Sequence, residues 1–500
     1  MTQVIFGPTT HAVLLASLAP MDRAIGASIG PDGRSVLYAT GTRIGQASSG
    51  VDIARAFGSM PGLHGVAPAL MKETLVAADR DLGDGSARLA VMARAAFRSG
   101  IAAVASGIDA GQLARACDAL HAPLAAMLAE HLETAVADRD IAVGAGADAP
   151  LADAIAQSFA TVGPGGTVEF RSMPGCGLEI SAMSGFVFDA VCLGDGPGKA
   201  GISPMQDVHV IAADDIISDF GALAAVIDGF AQRQKSLLIV ARDVTDSALA
   251  FLRSNQAAGR LSVAVMKPAD AGPRAAAIIE DLAIATGAQL VAERSGVLLK
   301  SLSPQMLGRA KEMRQTGMRI ELREVGGSPQ LIAARATELE GEIRANRNLS
   351  LDREHAERRR ARLQGRWVEL RIGMGSEDET ARTLAFGRNA LASIRSARRS
   401  GTIAGGGIAL AQVAQRVEAL PGCDVARASQ RMAAAALRAV GQHLRRNAGQ
   451  DHLSVSPNIS GVPCVFDPLA LSQALVRQAL SFAAQLLQVD AAVVRNRGAA

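Results

Sequence analysis

The chain has 500 residues, enough for about three domains at the usual size of roughly 150 residues each. Apolar residues make up 49% of it and charged residues 20%, which excludes a disordered or fibrous chain. With 51 Lys and Arg against 48 Asp and Glu, the net charge of +3 does not indicate a nucleic-acid partner. Abundant alanine beside the 51 glycines predicts a helix-rich protein with an alanine-packed core, and the single Trp and single Tyr argue against aromatic surfaces that stack on bases or sugars.

The first part of the chain, residues 1–131, is predicted to be mainly helical. Apolar residues recur at every third or fourth position over Ser86–Ser99 and again over Asp109–Leu132. Before them, Val36–Ser49 is predicted to be a short hairpin with glycines at its turns.

The middle of the chain has a different pattern. Short β-rich runs separated by helical segments predict a βαβ sheet with helices on its faces: Val208–Ala212, Ser236–Ala241, Leu261–Met266 and Gln289–Ala292. The pattern is helical again over Ser328–Gly365, Trp367–Ile372 is predicted to be a strand, and long helices follow over Glu377–Asn496. This order indicates a central α/β domain inserted into a helical domain that both ends of the chain form.

The cysteines and the hydropathy of the chain indicate in which cellular compartment the protein is expected. The five cysteines are an odd number without CxxC or Cys/His spacing: Cys117, Cys176, Cys192, Cys423 and Cys464. This pattern favours a reducing cytosol over a disulfide framework or a zinc site. No apolar run approaches the roughly 20 residues of a membrane span, and no basic residue precedes the apolar run Ala12–Leu18 as in a signal peptide. We therefore expect a cytoplasmic protein with no membrane partner.

Three glycine-rich segments could approach phosphate groups: Ser28–Arg34, Gly83–Ser86 and Ala404–Gly407. The last two open predicted helices, whose first N–H groups have no partner within the helix, and glycine lets a phosphate come close to the backbone. An adjacent aspartate such as Asp84 could hold Mg²⁺ against phosphate oxygens. None of the segments matches a P-loop or dinucleotide fingerprint, and each alone is more typical of a turn or helix cap.

Taken in order, these segments carry a resemblance. The series G-P-x-G-R from Gly30, G-D-G from Gly83, A-G-G-G from Ala404 and D-P at Asp467 is similar to that of group I chaperonins of the bacterial GroEL type. The likeness extends over almost the whole chain and includes these further segments: Gly50–Arg55, Gly185–Asp189, Leu237–Val244, Lys267–Pro268, Asp281–Ala283, Thr286–Gly287 and Asp352–Glu354.

The resemblance implies a helix-rich, multidomain α/β fold with GroEL-like equatorial, intermediate and apical domains. The equatorial domain, which binds nucleotide and forms the ring, corresponds to residues 1–131 and 401–500. The intermediate domain corresponds to residues 132–184 and 367–400. The inserted α/β apical domain, which binds client proteins, corresponds to residues 185–366.

The resemblance also implies a site for ATP and Mg²⁺. Its nucleotide-binding residues would be Ser28, Ile29, Gly30, Pro31, Asp84, Gly85, Ser86, Ala87, Arg88, Gly406 and Asp467. Asp84 would be the Mg²⁺ ligand, Gly406 would contact the nucleotide and Asp467 would lie near the ribose.

The sequence departs from the family at the positions that support hydrolysis. The family's triple threonine is Ser86-Ala87-Arg88, and two acidic positions are Ser49 and Asn389, so no catalytic residue is assigned. Neither serine nor an amide replaces a carboxylate as a general base, and one such base contributes typically about 10²–10⁴-fold to a rate. Arg88 is interpreted either as a phosphate ligand or as a surface arginine on the first turn of its helix.

The client-binding surface and the joints also differ from the family pattern. The aromatic positions of the extended apical segment are Cys192, Gly196 and Pro197, and the glycine of one hinge is Arg366. The apical helices keep Leu223, Val226, Ile227 and Leu249 as candidate client-binding residues, but the second also carries Arg253 and Ser254. These apolar side chains could equally be helix core.

Two further patterns carry no separate site. The basic run Arg353–Arg366 contains Glu354 and Glu357 at helical spacing, which favours a solvated helix face over a nucleic-acid patch. The eight histidines show no metal-ligand spacing.

The sequence therefore predicts a chaperonin-like protein that binds ATP, assists protein folding in a ring oligomer and hydrolyses ATP very poorly. Its partners would be copies of itself or an active chaperonin, and an unfolded or dedicated client protein, whereas the altered apical surface argues against a co-chaperonin. The alternative is a pseudo-chaperonin scaffold or co-assembling subunit that binds a dedicated partner without a folding cycle.

Overall fold

The structure is a computed structural model. It describes residues 2–30, 33–40, 43–57, 62–133, 136–163, 166–183, 185–193, 204–218, 221, 224, 236–258, 262–346, 350–365, 367–449 and 465–495.

The chain forms two compact units. One contains Met1–Gln157, Phe170–Glu179 and Leu370–Ala500, and the other contains Ser158–Glu169 and Ile180–Glu369. The second unit is thus inserted into the first, as the order of sequence patterns predicted. The finer division into equatorial, intermediate and apical domains stays a prediction.

The helices of the described residues are numbered in chain order. They are α1 (Pro8–Gly26), α2 (Gly50–Ala56), α3 (Val66–Leu82), α4 (Ser86–Ala105), α5 (Ala110–Ala119), α6 (His121–Ala129), α7 (Asp138–Gly144), α8 (Ala149–Val162), α9 (Asp246–Ala257), α10 (Pro273–Thr286), α11 (Pro329–Ala345), α12 (Ser350–Leu363), α13 (Glu377–Ser400), α14 (Ile408–Glu418), α15 (Asp424–Asn447) and α16 (Leu469–Leu487). Within these described residues, no helix is both long enough and apolar enough to cross a membrane.

The strands of the described residues are short except in the second unit. They are β1 (Thr2–Phe6), β2 (Val36–Thr40), β3 (Arg43–Ala47), β4 (Thr167–Ser172), β5 (Gly177–Met183), β6 (Phe186–Cys192), β7 (Met205–Ile217), β8 (Ser236–Val244), β9 (Ser262–Pro268), β10 (Gly308–Thr316), β11 (Arg319–Val325), β12 (Trp367–Gly373), β13 (Thr402–Ala404), β14 (Phe466–Pro468) and β15 (Ala491–Arg495).

The core of the first unit is built on close helix packing, in which α4, α15 and α16 contact one another. Alanines line these contacts: Ala433 and Ala436 of α15 are fully buried. Gly100 of α4 lies so close to Leu487 and Met432 that a larger side chain would collide with them. Small residues let helix backbones approach closely, which is how an alanine- and glycine-rich chain forms a dense core with few aromatic side chains.

Small sheets join distant parts of the first unit. β1 pairs antiparallel with β15, with Val4 opposite Val493, so the two ends of the chain share one sheet. β2 and β3 form the predicted hairpin, with Tyr38 opposite Gly45. β13 pairs with β14, with Ile403 opposite Asp467.

The sheet of the second unit is a closed barrel with the strand order β10-β11-β6-β9-β8-β7. The predicted parallel order holds for β7, β8 and β9, with α9 between β8 and β9. The predicted arrangement as a βαβ sheet is incomplete, because antiparallel pairs of β10 with β7 and β11 with β6 close the barrel. The predicted strand Gln289–Ala292 is wrong, since this segment makes only isolated bridges such as Ala213 with Val291.

The basic run of α12 is an internal ion-pair element. The Arg359 side chain, 8% exposed, donates to both carboxylate oxygens of Asp281 at 2.6 and 2.9 Å. Arg362 donates to Glu169 at 2.9 Å and to Asp189 at 3.2 Å. The predicted solvated face is therefore wrong for these two arginines, since they are largely buried and pair with carboxylates within the second unit.

Candidate functional site

The G-D-G segment is a sharp turn between α3 and α4. Gly83 and Gly85 have φ of +73° and +88°, a left-handed conformation that glycine adopts without strain. The Gly83 N–H donates to Asp79 O at 2.8 Å and so closes the end of α3. A side chain on Gly85 would lie 2.6 Å from Leu475 of α16. The turn is thus held in place on both sides and presents Asp84 at the start of α4.

Asp84 is 8% exposed, and three groups donate to its carboxylate. Oδ1 accepts the Gly85 N–H at 2.6 Å. Oδ2 accepts the Ser393 hydroxyl of α13 at 2.7 Å and the Arg88 guanidinium at 2.9 Å. Burial raises the pKa of Asp84 above its usual value, although Arg88, Ser393 and the Gly85 N–H act in the opposite direction.

Arg88 joins this carboxylate to a second one. Its Nη1 donates to Asp467 Oδ1 at 2.6 Å while its Nη2 donates to Asp84. The side chains of Asp84, Arg88 and Asp467 are 11%, 14% and 8% exposed. Although burial opposes the charged form, Asp467 and Asp84 raise the pKa of Arg88. We call these three side chains the Asp84–Arg88–Asp467 cluster. Arg88 is therefore an internal cation, and its interpretation as a surface arginine is wrong.

The third glycine-rich segment lies beside the strand that carries Asp467. β13 pairs with β14 and leads directly into Gly405, whose N–H donates to Val465 O at 2.7 Å. Gly406 has φ of +64°, and a Cβ there would have no neighbour within 4 Å. The structure thus brings together the G-D-G turn, Asp467 and a glycine turn with an open side.

Ser86 and Ala87, two more of the predicted nucleotide contacts, pack against the start of α2. The Ser86 hydroxyl accepts the Val51 N–H at 3.1 Å. Gly50 approaches Ala87 so closely that a Cβ on Gly50 would collide with the Ala87 backbone. These contacts join the start of α2 to the start of α4.

The first glycine-rich segment is held by α15. The Ser28 hydroxyl donates to Ile25 O at 2.8 Å, and Ile29 is 6% exposed. Gly30 has φ of +88° and packs against Leu444. The Asn447 amide donates to Gly26 O at 2.9 Å and to Ile29 O at 2.8 Å, a support that sequence reasoning missed. Pro31 lies outside the described residues.

Ser49 and Asn389, which stand at the family's two acidic positions, form structural hydrogen bonds. Ser49 is the N-cap of α2: its hydroxyl accepts the Asp52 N–H at 3.2 Å and donates to Asp52 Oδ2 at 2.8 Å. Asn389 of α13, with its amide nitrogen turned toward the carbonyls, donates to Gly83 O at 3.2 Å and to Ala385 O at 3.3 Å. Asn389 thus lies beside the G-D-G turn as a hydrogen-bond donor and supplies no base.

Ser393 is a second site residue that the sequence analysis did not identify. It is 1% exposed and lies one helical turn after Asn389, on the same face of α13. A side chain on Gly83 would lie 2.6 Å from Ala392, so α13 packs closely on the turn. The spacing of Asn389 and Ser393 is the sequence signal that could have identified it.

The residues of the cluster do not fit a Mg²⁺ ion as they are arranged. Asp84 already accepts three hydrogen bonds, and the Arg88 guanidinium lies between the two carboxylates. Mg²⁺ demands oxygen ligands at about 2.0–2.1 Å in octahedral geometry, and a guanidinium has none to offer. Across the described parts of the chain, no group of three or more His, Cys, Asp or Glu side chains could hold a metal ion.

The candidate client-binding residues are only partly described. Leu223, Val226 and Ile227 lie outside the described residues, as do Gly196, Pro197 and Arg366. Leu249 of α9 is half-buried against the barrel, in a cluster with Val244 and Leu252, whereas Arg253 is exposed. Leu249 therefore contributes to the core, and its role toward a client stays a prediction.

The ring of His443 makes the first unit sensitive to acid. It packs against Gly26, at the end of α1, and burial together with Arg446 and Arg94 lowers the pKa of His443 to about 4. Because the unfolded chain binds this proton near pH 6.5, stability is lost as the pH falls from about 6.5 to 4. Glutamine does not titrate, so we expect His443→Gln to lose less stability in acid than the wild type. The expected difference is roughly 1–2 kcal/mol, because solvent screens the charge of a partly exposed ring.

The measurement is urea unfolding of both proteins, followed by far-UV circular dichroism at several pH values. The other histidines are common to the two proteins and cancel in the difference. Identical pH profiles would contradict the prediction.

Comparisons with known proteins agree with this architecture. No family model matches the chain. A crystal structure of the chaperonin gp146 from the bacteriophage EL 2 (Pseudomonas aeruginosa), in the presence of ATP-BeFx, superimposes with a TM-score of 0.70 and 16% identity. A second crystal form of it gives a TM-score of 0.59 and 15% identity, and each match covers 99% of both chains. The chain therefore has the GroEL-like chaperonin fold over 99% of its length.

Proposed function

We propose that this chain is a chaperonin-like protein that binds ATP, assists protein folding in a ring oligomer and hydrolyses ATP very poorly. Support for the nucleotide site comes from the convergence of the G-D-G turn, the Gly405–Gly407 turn and Asp467. The structurally similar gp146 was crystallised in the presence of ATP-BeFx. The nucleotide-binding residues would be Ser28, Ile29, Gly30, Pro31, Asp84, Gly85, Ser86, Ala87, Arg88, Gly406 and Asp467.

The proposal of poor hydrolysis rests on the presence of an amide at Asn389 and a hydroxyl at Ser49, two positions where the family has carboxylates. Asn389 donates to the Gly83 carbonyl beside Asp84, and Ser49 caps α2. Neither side chain can accept a proton from an attacking water as a carboxylate does, so the rate should fall by about 10²–10⁴-fold per missing base.

Assembly into a ring is supported by apolar side chains on the small sheets. Leu37 and Ile44 of the β2–β3 hairpin are 73% and 77% exposed. Phe6 and Val493 of the β1–β15 sheet are 65% and 63% exposed. Exposed apolar side chains grouped on short strands are typical of surfaces that another protein covers. None of the four cysteines in the described part of the chain, Cys117, Cys176, Cys192 and Cys423, forms a disulfide, which suits a cytosolic location.

Steady-state ATP turnover of the purified protein tests the proposal. We expect turnover at least about 100-fold below that of an active group I chaperonin assayed beside it, together with measurable ATP binding. Turnover equal to that of the active protein would contradict it, provided that Asp84→Asn abolishes the activity and so excludes a contaminant. Negative-stain images of the same preparation would show whether it forms rings.

The second candidate is a scaffold that binds a dedicated partner without a folding cycle. It is favoured by the Asp84–Arg88–Asp467 cluster, in which the site's own cation lies between its carboxylates, and by the exposed Arg253 of α9, the helix predicted to carry client-binding residues. Refolding of a generic denatured protein distinguishes the two. Recovery that depends on ATP supports the chaperonin function, and recovery no higher than spontaneous refolding, with or without ATP, supports the scaffold.

A further inference from the structure

We propose that Arg88 is a resident cation that takes the place of a divalent metal between Asp84 and Asp467. Nucleotide bound at this site is then bound as the metal-free polyphosphate, a consequence that rests on the ATP binding proposed above. The Arg88 nitrogens lie 2.9 Å from Asp84 Oδ2 and 2.6 Å from Asp467 Oδ1, so a single positive group bridges the two carboxylates.

The position of the guanidinium is determined by several elements. Arg88 and Asp84 are four residues apart, across the start of α4, and β14 supplies Asp467 from the other side. Ser393 of α13 donates to the same Asp84 oxygen as Arg88. Since the Arg88 side chain is only 14% exposed, the charge cannot turn into solvent without leaving two buried carboxylates unbalanced.

A metal ion would have to compete with this arrangement. It would need the same two carboxylate oxygens to which Arg88 donates, and it would lie beside a guanidinium that is not deprotonated in proteins. Like charges at that distance in a buried site repel strongly. The cluster as it stands therefore excludes the metal rather than leaving a vacancy for one.

Arg88 also retains donors for a phosphate. Its bonds to the carboxylates use two of the five N–H groups of a guanidinium. The cluster has a formal charge of −1, whereas the two aspartates alone would have −2. A phosphate oxygen can then accept from Arg88 and from the N–H groups at the start of α4 without a metal to bridge it.

A Mn²⁺ titration without nucleotide tests the replacement of the metal. The full-length wild type, Arg88→Met and the double variant Asp84→Asn/Arg88→Met are titrated with Mn²⁺, and the free ion is measured by electron paramagnetic resonance. We expect Arg88→Met to bind one Mn²⁺ at least roughly tenfold more tightly than the wild type, and the double variant to lose that binding. Arg438→Met, which removes an exposed partner of Glu418, is the matched control and should behave as the wild type.

Wild-type Mn²⁺ binding that Asp84→Asn abolishes would overturn the proposal, as would an Arg88→Met protein that folds and binds no Mn²⁺. If Arg88→Met does not fold, Arg88→Gln replaces it. The wild-type titration with Asp84→Asn decides the matter even without either variant.

Isothermal titration calorimetry of ATP binding, in EDTA and in Mg²⁺, tests whether the nucleotide binds without a metal. Dissociation constants that agree within about threefold support metal-free binding, and affinity at least about tenfold weaker in EDTA overturns it. Absence of binding in both conditions removes ATP binding from the proposed function. The Mn²⁺ titration then still decides whether Arg88 replaces the metal, so the two failures are distinguishable.

Discussion

Replacement of Arg319 by methionine is expected to lower the free energy of unfolding of the second unit by about 3–5 kcal/mol. Arg319 of β11 is 6% exposed and donates to Glu369, to Glu169 at 2.9 Å and to Asp189 at 3.2 Å. Its guanidinium also lies 4.5 Å from the centre of the Trp367 ring. Methionine keeps much of the apolar volume but leaves these carboxylates without their shared cation.

The remaining arginine compensates only in part. Arg362 contacts Glu169 and Asp189, but Glu369, 1% exposed, loses the Arg319 guanidinium. Although burial opposes ionisation, Arg362 and Arg319 hold the pKa of Glu169 below its usual value. A carboxyl with a lowered pKa contributes stability at neutral pH that is lost as the pH falls through the folded-state pKa, so the deficit of Arg319→Met should shrink in acid.

Fluorescence reports the unfolding of the second unit directly, because Trp367 is the single tryptophan of the chain and its ring lies against the Arg319 guanidinium. Urea unfolding followed by its emission gives the free energy for each variant. Arg314→Met is the matched control, since Arg314 is 49% exposed and its partner Glu312 also lies near Arg323. The control should change stability by less than about 1 kcal/mol, and an equal loss in both variants would refute the prediction.

In metal-free buffer, Arg88→Met is expected to destabilise the first unit by about 3–5 kcal/mol. The substitution removes the cation that Asp84 and Asp467 share, and the side chains of these two aspartates are only 11% and 8% exposed. Far-UV circular dichroism follows the unfolding, because the first unit contains most of the helices of the described residues.

A double-mutant cycle separates the charge effect from packing. Adding Asp467→Asn to Arg88→Met removes one unbalanced carboxylate, so the double variant should regain part of the stability lost by Arg88→Met. Arg438→Met, in an exposed ion pair with Glu418, should cost less than about 1 kcal/mol. Additive losses in the cycle would show that the three side chains do not act as one cluster.

Much of the element pattern follows from local sequence. The spacing of apolar residues over Ser86–Ser99 predicted α4, which extends to Ala105, and the β-rich runs predicted β7, β8 and β9. β10 and β11 were not predicted, because the buried residues of β10, Gly308, Ala310 and Met313, break the two-residue alternation and β11 buries the charged residues Arg319 and Glu321. The closure of the barrel depends on the pairing of β10 with β7, which lies about 100 residues away and has no local signal.

The order of the glycine turns, the inserted α/β segment and the absence of carboxylates at Ser49 and Asn389 all follow from the amino-acid sequence. These are local properties of residue type and spacing, such as the need for glycine at the left-handed positions of Gly83 and Gly85. The role of Arg88 could not be predicted from the sequence, because its partner Asp467 lies 379 residues away along the chain and Ser393 lies 309 residues from Asp84. Such contacts depend on how the chain packs, and packing turned an apparent surface arginine into the buried cation of the candidate site.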